Sequence, residues 1–150
     1  MPAPRIDLNK IMPHRPPMLL VEEILDMGQN AARVRAVNPP DGLFADKEGF
    51  LLPAALIEMT AQSYAAFDGA KRFLEGTLPE DGGGFLVNVR DFVFLNSVRA
   101  GQEVYVDVTI KNRFFDTRII EGTVWADGKK AAQGQVYVFV WEKTSPQEEK

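Results

Sequence analysis

The sequence predicts an α+β fold in which one long helix is wrapped by a curled antiparallel sheet of about six strands. Three observations carry this. Only residues 52–74 combine helix-forming composition with apolar positions at helical spacing. Two strand-like stretches precede that segment and four follow it, so strands and helices do not alternate as they would around a parallel sheet. The first half of the helical segment is apolar on nearly every side, which suits a helix enclosed by a sheet rather than one lying on an exposed face.

Residues 1–17 contain five prolines and read as an irregular lead-in with one helical turn around residues 6–11. Residues 18–27 suit a strand, Gly28, Gln29 and Asn30 suit a turn, and residues 31–37 alternate Ala32, Val34 and Ala36 with Arg33 and Arg35, which makes a hairpin. Residues 38–49, with Pro39, Pro40, Asp41, Gly42 and Gly49, are loop chemistry leading to the helix. A loop over residues 75–84 ends in three glycines. Strands follow at residues 85–95, 103–111, 114–126 and 133–141, with Asp127-Gly128 as a hairpin turn. Residues 1–142 are expected to form a single domain and residues 143–150 a polar tail.

At 150 residues and 45% hydrophobic composition the chain has room for one substantial core. A net charge of -4 offers no electrostatic footprint for nucleic acid or an anionic membrane. The absence of cysteine excludes a disulfide framework, a thiolate metal site and a cysteine nucleophile. The longest apolar stretch, residues 50–61, is broken by Pro53 and Glu58 and is too short for a membrane span. The N-terminal segment does not resemble a secretory signal, so a cytoplasmic location is expected.

Glu58 is the first candidate for chemistry, because a carboxylate in the middle of an apolar helix requires a reason. Ala54, Ala55 and Ala61 at neighbouring helical positions leave space beside it, a low-dielectric setting suited to general acid or base work. The competing reading has Glu58 on a polar stripe facing solvent. Pro53 suits the first helical turn, where the amides of Ala54 and Ala55 would present the positive end of the helix dipole to a carbonyl, or simply to water. His14, the one histidine, is either a base near neutral pH or a structural hydrogen-bonding residue. Asp41, Asp46 and Glu48 lack metal-ligand spacing and read as solvated loop residues; no metal and no cofactor are expected.

The segment Ile11-Met12-Pro13-His14-Arg15-Pro16-Pro17-Met18-Leu19-Leu20-Val21-Glu22 is similar to the opening motif of the 3-hydroxyacyl-acyl-carrier-protein dehydratases. Leu52-Pro53-Ala54-Ala55-Leu56-Ile57-Glu58-Met59-Thr60-Ala61-Gln62 resembles their central-helix motif, and Val98-Arg99-Ala100-Gly101-Gln102 their later strand-turn-strand. The resemblance runs in order over residues 6–142. It implies a hotdog fold, a dimer with active sites at its interface, and catalysis by a His paired with the helix Glu, the role Glu58 inherits. Ala54 replaces that family's Gly at the helix start. The family's catalytic His stands in a Gly-His-Phe-Pro loop, where this chain has Gly42-Leu43-Phe44-Ala45, so Leu43 occupies the base position. This combination looks more like the hotdog dehydratases associated with aryl polyene biosynthesis.

The resemblance therefore implies a dehydratase acting on 3-hydroxyacyl thioesters of acyl carrier protein or coenzyme A, in fatty acid or polyketide-type biosynthesis. Glu58 would act as acid with His14 recruited as base, and Pro53, Ala54, Ala55, Gln62, Leu43 and Phe44 would contact substrate. A homodimer or a hotdog heterodimer is expected. Two alternatives stand beside it: a non-catalytic hotdog subunit completing a heteromeric dehydratase, which Leu43 favours, and an acyl thioesterase in which Glu58 directs water.

Overall fold

The computed structural model describes residues 1–78 and 82–142. A 3₁₀ turn, Leu8–Lys10, is followed by β1 (Val21–Met27), β2 (Ala31–Ala36), α1 (Pro53–Glu75), β3 (Gly82–Phe94), β4 (Val104–Phe114), β5 (Thr117–Ala126) and β6 (Lys129–Glu142). The strands form one antiparallel sheet in the order β1-β2-β4-β5-β6-β3. α1 touches all six strands, so the sheet curls round the helix in the hotdog arrangement. The expected tail at residues 143–150 lies outside the described residues.

Period-two patterning places the core. In β4, Val104, Val106 and Val108 are buried while Tyr105 and Asp107 between them are partly exposed. They share one buried cluster with Ala55, Met59, Ala66 and Phe67 of α1, and each such valine contributes about 1.5–3 kcal/mol on burial. The helix lies close on β5, where a Cβ at Gly122 would overlap the methyl of Thr60. Thr60 and Ser63 are buried, and their hydroxyls donate to the carbonyls of Leu56 and Met59, 2.8 and 2.6 Å away. Pro53 occupies the first turn, and Gly76 at φ 72° closes the helix by donating to the carbonyls of Arg72 and Phe73.

Several boundaries differ from those read in the sequence. β1 starts at Val21 rather than residue 18, because the amides of Met18 and Leu19 donate to the Arg15 carbonyl in a turn and that of Leu20 donates to Gln62. All three glycines lead β3 rather than ending a loop, since β6 is long enough to pair with them. Phe114 ends β4 instead of opening β5; the hairpin turns at Phe115, which has φ 54°. β6 begins at Lys129, directly after the turn, because Asp127 and Gly128 both take positive φ, 54° and 70°, and leave no residues between turn and strand.

The two edges of the sheet are treated differently. Along β1 the N-terminal segment is laid down, with a bridge from Pro2 to Asp26 and the Ala3 amide donating to the Leu25 carbonyl. Among the described residues β3, at the other edge, pairs with β6 alone, and it exposes Leu86, Val87, Val93 and Phe94. Among the described residues no helix is long and apolar enough to cross a membrane.

Candidate functional site

The proline-rich lead-in lies across α1. Ile11 and Met12 are buried, and the Ile11 carbonyl approaches Gly69 so closely that a Cβ there would stand 2.7 Å from it. Arg15 gathers the turn by donating to the carbonyls of Asn9, Met12 and His14 at 3.0, 2.7 and 2.8 Å. This places the His14 side chain against the first half of the helix.

His14 Nε2 stands 3.9 Å from Glu58 Oε1, and both side chains are 26% exposed. Burial lowers the pKa of His14 from its ordinary 6.5, with the Glu58 carboxylate pulling the other way. The imidazole is therefore neutral at pH 7, and its contact with Glu58 is a polar approach rather than an ion pair. His14 Nδ1 is buried with no hydrogen-bond partner. Such a cost is tolerated in few settings, a catalytic site among them.

Gln62 ties the two segments together. Its Nε2 donates to Glu58 Oε1 at 2.9 Å and to the Met18 carbonyl at 2.7 Å, and its Oε1 accepts from the Leu20 amide at 2.9 Å. It is 1% exposed, so its hydrogen-bonding capacity is spent inside the protein. The i,i+4 spacing from Glu58 puts both side chains on one helix face, which is how a residue on α1 can hold a carboxylate and the strand entering β1 at once.

At the start of α1 the Ala55 amide already donates to the Leu52 carbonyl at 2.9 Å, whereas no partner takes the Ala54 amide among the described residues. Pro53 and Ala54 are exposed, and Pro53 has no N–H to offer. Leu43 is 53% exposed; Phe44 packs on the core, and its carbonyl accepts from the Leu52 amide at 2.8 Å.

The loop carrying Leu43 depends on a residue that sequence reasoning passed over. Asn38 is fully buried; its carbonyl accepts from Gly101 at 2.6 Å and its side chain accepts from the Phe44 amide at 3.3 Å. Its one visible signal was a polar residue directly after an alternating strand. Gly101 belongs to the Val98–Gln102 motif and needs glycine, having φ 89° and a Cβ position 2.9 Å from Pro40. Asp46, expected to be merely solvated, accepts from the amides of Glu48 and Phe50 at 2.8 and 2.9 Å and so shapes the same loop. No group of three His, Asp or Glu suited to a metal occurs among the described residues.

Comparison with known proteins bears on the fold and the family. FabZ 3-hydroxyacyl-acyl-carrier-protein dehydratases from Streptococcus uberis and Streptococcus sanguinis are 28% and 29% identical over 134 and 138 residues. These matches cover 85% and 86% of this chain and 91% and 94% of those proteins. The dehydratase heterocomplex ApeI:P from Xenorhabdus doucetiae is similar in structure, with a TM-score of 0.82 at 20% identity over 97% of each chain. The family model for ApeP-like proteins, described as ApeP dehydratase, matches residues 6–148, and this hotdog chain therefore belongs to the ApeP-like dehydratase family.

Proposed function

We propose that this protein dehydrates 3-hydroxyacyl thioesters carried by acyl carrier protein or coenzyme A, with His14 and Glu58 as the catalytic pair. The observation that carries the reading is the 3.9 Å approach of His14 Nε2 to Glu58 Oε1 within one chain. His14, neutral at pH 7, takes a proton from C2 of the acyl group. The C2 electron pair forms the C2–C3 double bond as the C3–O bond breaks. Glu58 gives its proton to the departing hydroxyl, leaving as water, and the proton on His14 returns to Glu58.

The free amide of Ala54, at the positive end of the helix dipole, donates to the thioester carbonyl as negative charge gathers there. Gln62 is the positioning residue for Glu58, and Leu43, Phe44 and Pro53 offer apolar surface beside the helix start. The exposed apolar side chains Leu86, Val87, Val93 and Phe94 on the edge strand β3 favour a homodimer or a hotdog heterodimer, since an apolar edge strand is a template for another chain. A cytoplasmic setting fits both thioester carriers.

The test is enoyl thioester formation from 3-hydroxyacyl substrates on each carrier. His14→Ala should lower turnover by the order of 10² or more with little change in melting temperature. A lower melting temperature with unchanged turnover per folded molecule would overturn the role of His14. Leu43 at the base position of the related dehydratases favours a second reading, a non-catalytic subunit of a heteromer. That reading predicts no turnover by the chain alone, and turnover by the mixed complex that is indifferent to Glu58→Gln.

A further inference from the structure

A cleft of about 280 Å³ opens between the second half of α1 and the β4–β5 hairpin, far from Glu58. Lys71, which lines the cleft, is thirteen positions along the helix from Glu58, a distance of roughly 20 Å along the axis. Across it, Arg113 of β4 and Arg118 of β5 are direct register partners. Directly opposed like charges destabilise a strand pair, so this arrangement costs the free protein stability. Neither guanidinium has an ion-pair partner among the described residues. Arg113 donates to the Asn30 side chain at 3.2 Å, and Arg118 uses one nitrogen on the carbonyls of Phe115 and Thr117, leaving further N–H groups on both.

Two other donors face the same space. Lys71 gives one N–H to the Gln29 carbonyl at 2.9 Å and keeps two. Tyr64 lies at the base; burial, with the charge of Asp68 added, pushes its phenol up to about 12, so it stays protonated. The carboxylates of the cleft are Asp68, paired with Arg72 at 3.2 Å, and the exposed Glu75. With Lys71, Arg72, Arg113 and Arg118 against these two, the lining carries a net charge of +2.

We infer that this cleft binds a phosphate-type oxyanion between Arg113 and Arg118, with Lys71 and the Tyr64 hydroxyl completing the donor set. Paired guanidinium forks match tetrahedral and planar oxyanions, and a bound dianion converts the Arg–Arg repulsion into attraction. The site is independent of the dehydratase chemistry proposed for Glu58. Its ligand is either a free phosphate ion or the phosphate of a larger carrier such as coenzyme A.

The experiment titrates the full chain with inorganic phosphate at constant ionic strength, by calorimetry and thermal melting. Saturable binding with a rise in melting temperature is expected. In Arg113→Gln/Arg118→Gln, affinity should fall at least tenfold, the thermal response should vanish, and melting without phosphate should occur no lower than in the parent. Lys71→Gln gives the same loss in smaller measure and serves if the double variant fails to fold. No saturable binding at millimolar phosphate, or equal stabilisation of parent and variants, overturns the site. Parallel titration with coenzyme A identifies the source: at least tenfold tighter binding assigns the cleft to a carrier phosphate, and equal binding assigns it to the free ion.

Discussion

The two halves of α1 use charge in opposite ways. Residues 53–64 contain one charged side chain, Glu58, set among buried neighbours and held by Gln62. Residues 65–75 contain four, Asp68, Lys71, Arg72 and Glu75, along the open cleft beside β4 and β5. In the first half one carboxylate is held by Gln62, whose remaining hydrogen bonds reach Met18 and Leu20. In the second half the charges are numerous, more solvated and individually weak. A single partly buried acid with a fixed partner suits proton transfer, whereas a group of donors around an open space suits binding.

The largest expected effect falls on the first half. Glu58→Gln keeps the side-chain shape and removes the exchangeable proton, so turnover should fall by 10² or more while circular dichroism and melting stay close to the parent. Retained turnover would remove Glu58 from the chemistry and dissolve the contrast. Gln62→Ala strips partners from the Leu20 amide and the Met18 carbonyl, a loss of about 1–3 kcal/mol for each buried group left unpaired. At roughly 2–4 °C per kcal/mol for a chain of this size, melting should drop by several degrees, and turnover should fall with it because Glu58 loses its anchor. Gly69→Ala pushes a methyl against the Ile11 carbonyl and should cost about 1–3 kcal/mol, most visibly as weakened docking of the His14 segment in hydrogen exchange.

A smaller effect reads the electrostatics of the pair directly. His14 is the one histidine, so its ring resonances titrate without overlap. Its apparent pKa should lie below 6.5, and Glu58→Gln should move it lower still, because the carboxylate that opposes the effect of burial is gone. The folded value lies below the unfolded one, so the unfolded chain binds more protons in that window and stability falls as pH drops from about 6.5. A value above 6.5 would show that the Glu58 charge outweighs burial. The smallest change belongs to the second half of the helix: Asp68→Asn breaks a half-buried i,i+4 pair with Arg72 and should shift stability by about 0.3–0.5 kcal/mol, less in salt.

Most of the architecture was legible because it is written in local periodicity. The alternation of Val104, Val106 and Val108, the helical spacing over residues 52–74 and the Asp127-Gly128 turn each act within a few residues. Boundaries slipped where long-range pairing decided them, as at Gly82–Phe94, whose glycines are ordered by β6 rather than by their own preference. In the site, Glu58 stood out as an acid on an apolar helix, and its relation to Gln62 follows from i,i+4 spacing. The engagement of Gln62 with Met18 and Leu20 did not follow, nor did the use of the Ala55 amide by Leu52, because both depend on where a distant or irregular segment comes to rest.

The order of strands around one helix, the acid at position 58 and the departure at Leu43 are properties of the sequence itself, since periodicity and residue type are local and survive without coordinates. The 3.9 Å approach of His14 to Glu58 across 44 positions, the apolar side chains exposed on the edge strand β3, and the opposition of Arg113 to Arg118 belong to the tertiary structure alone. Each is set by strand register or by the docking of a proline-rich segment, and these are fixed by the simultaneous packing of the whole sheet on α1 rather than by any short stretch of chain.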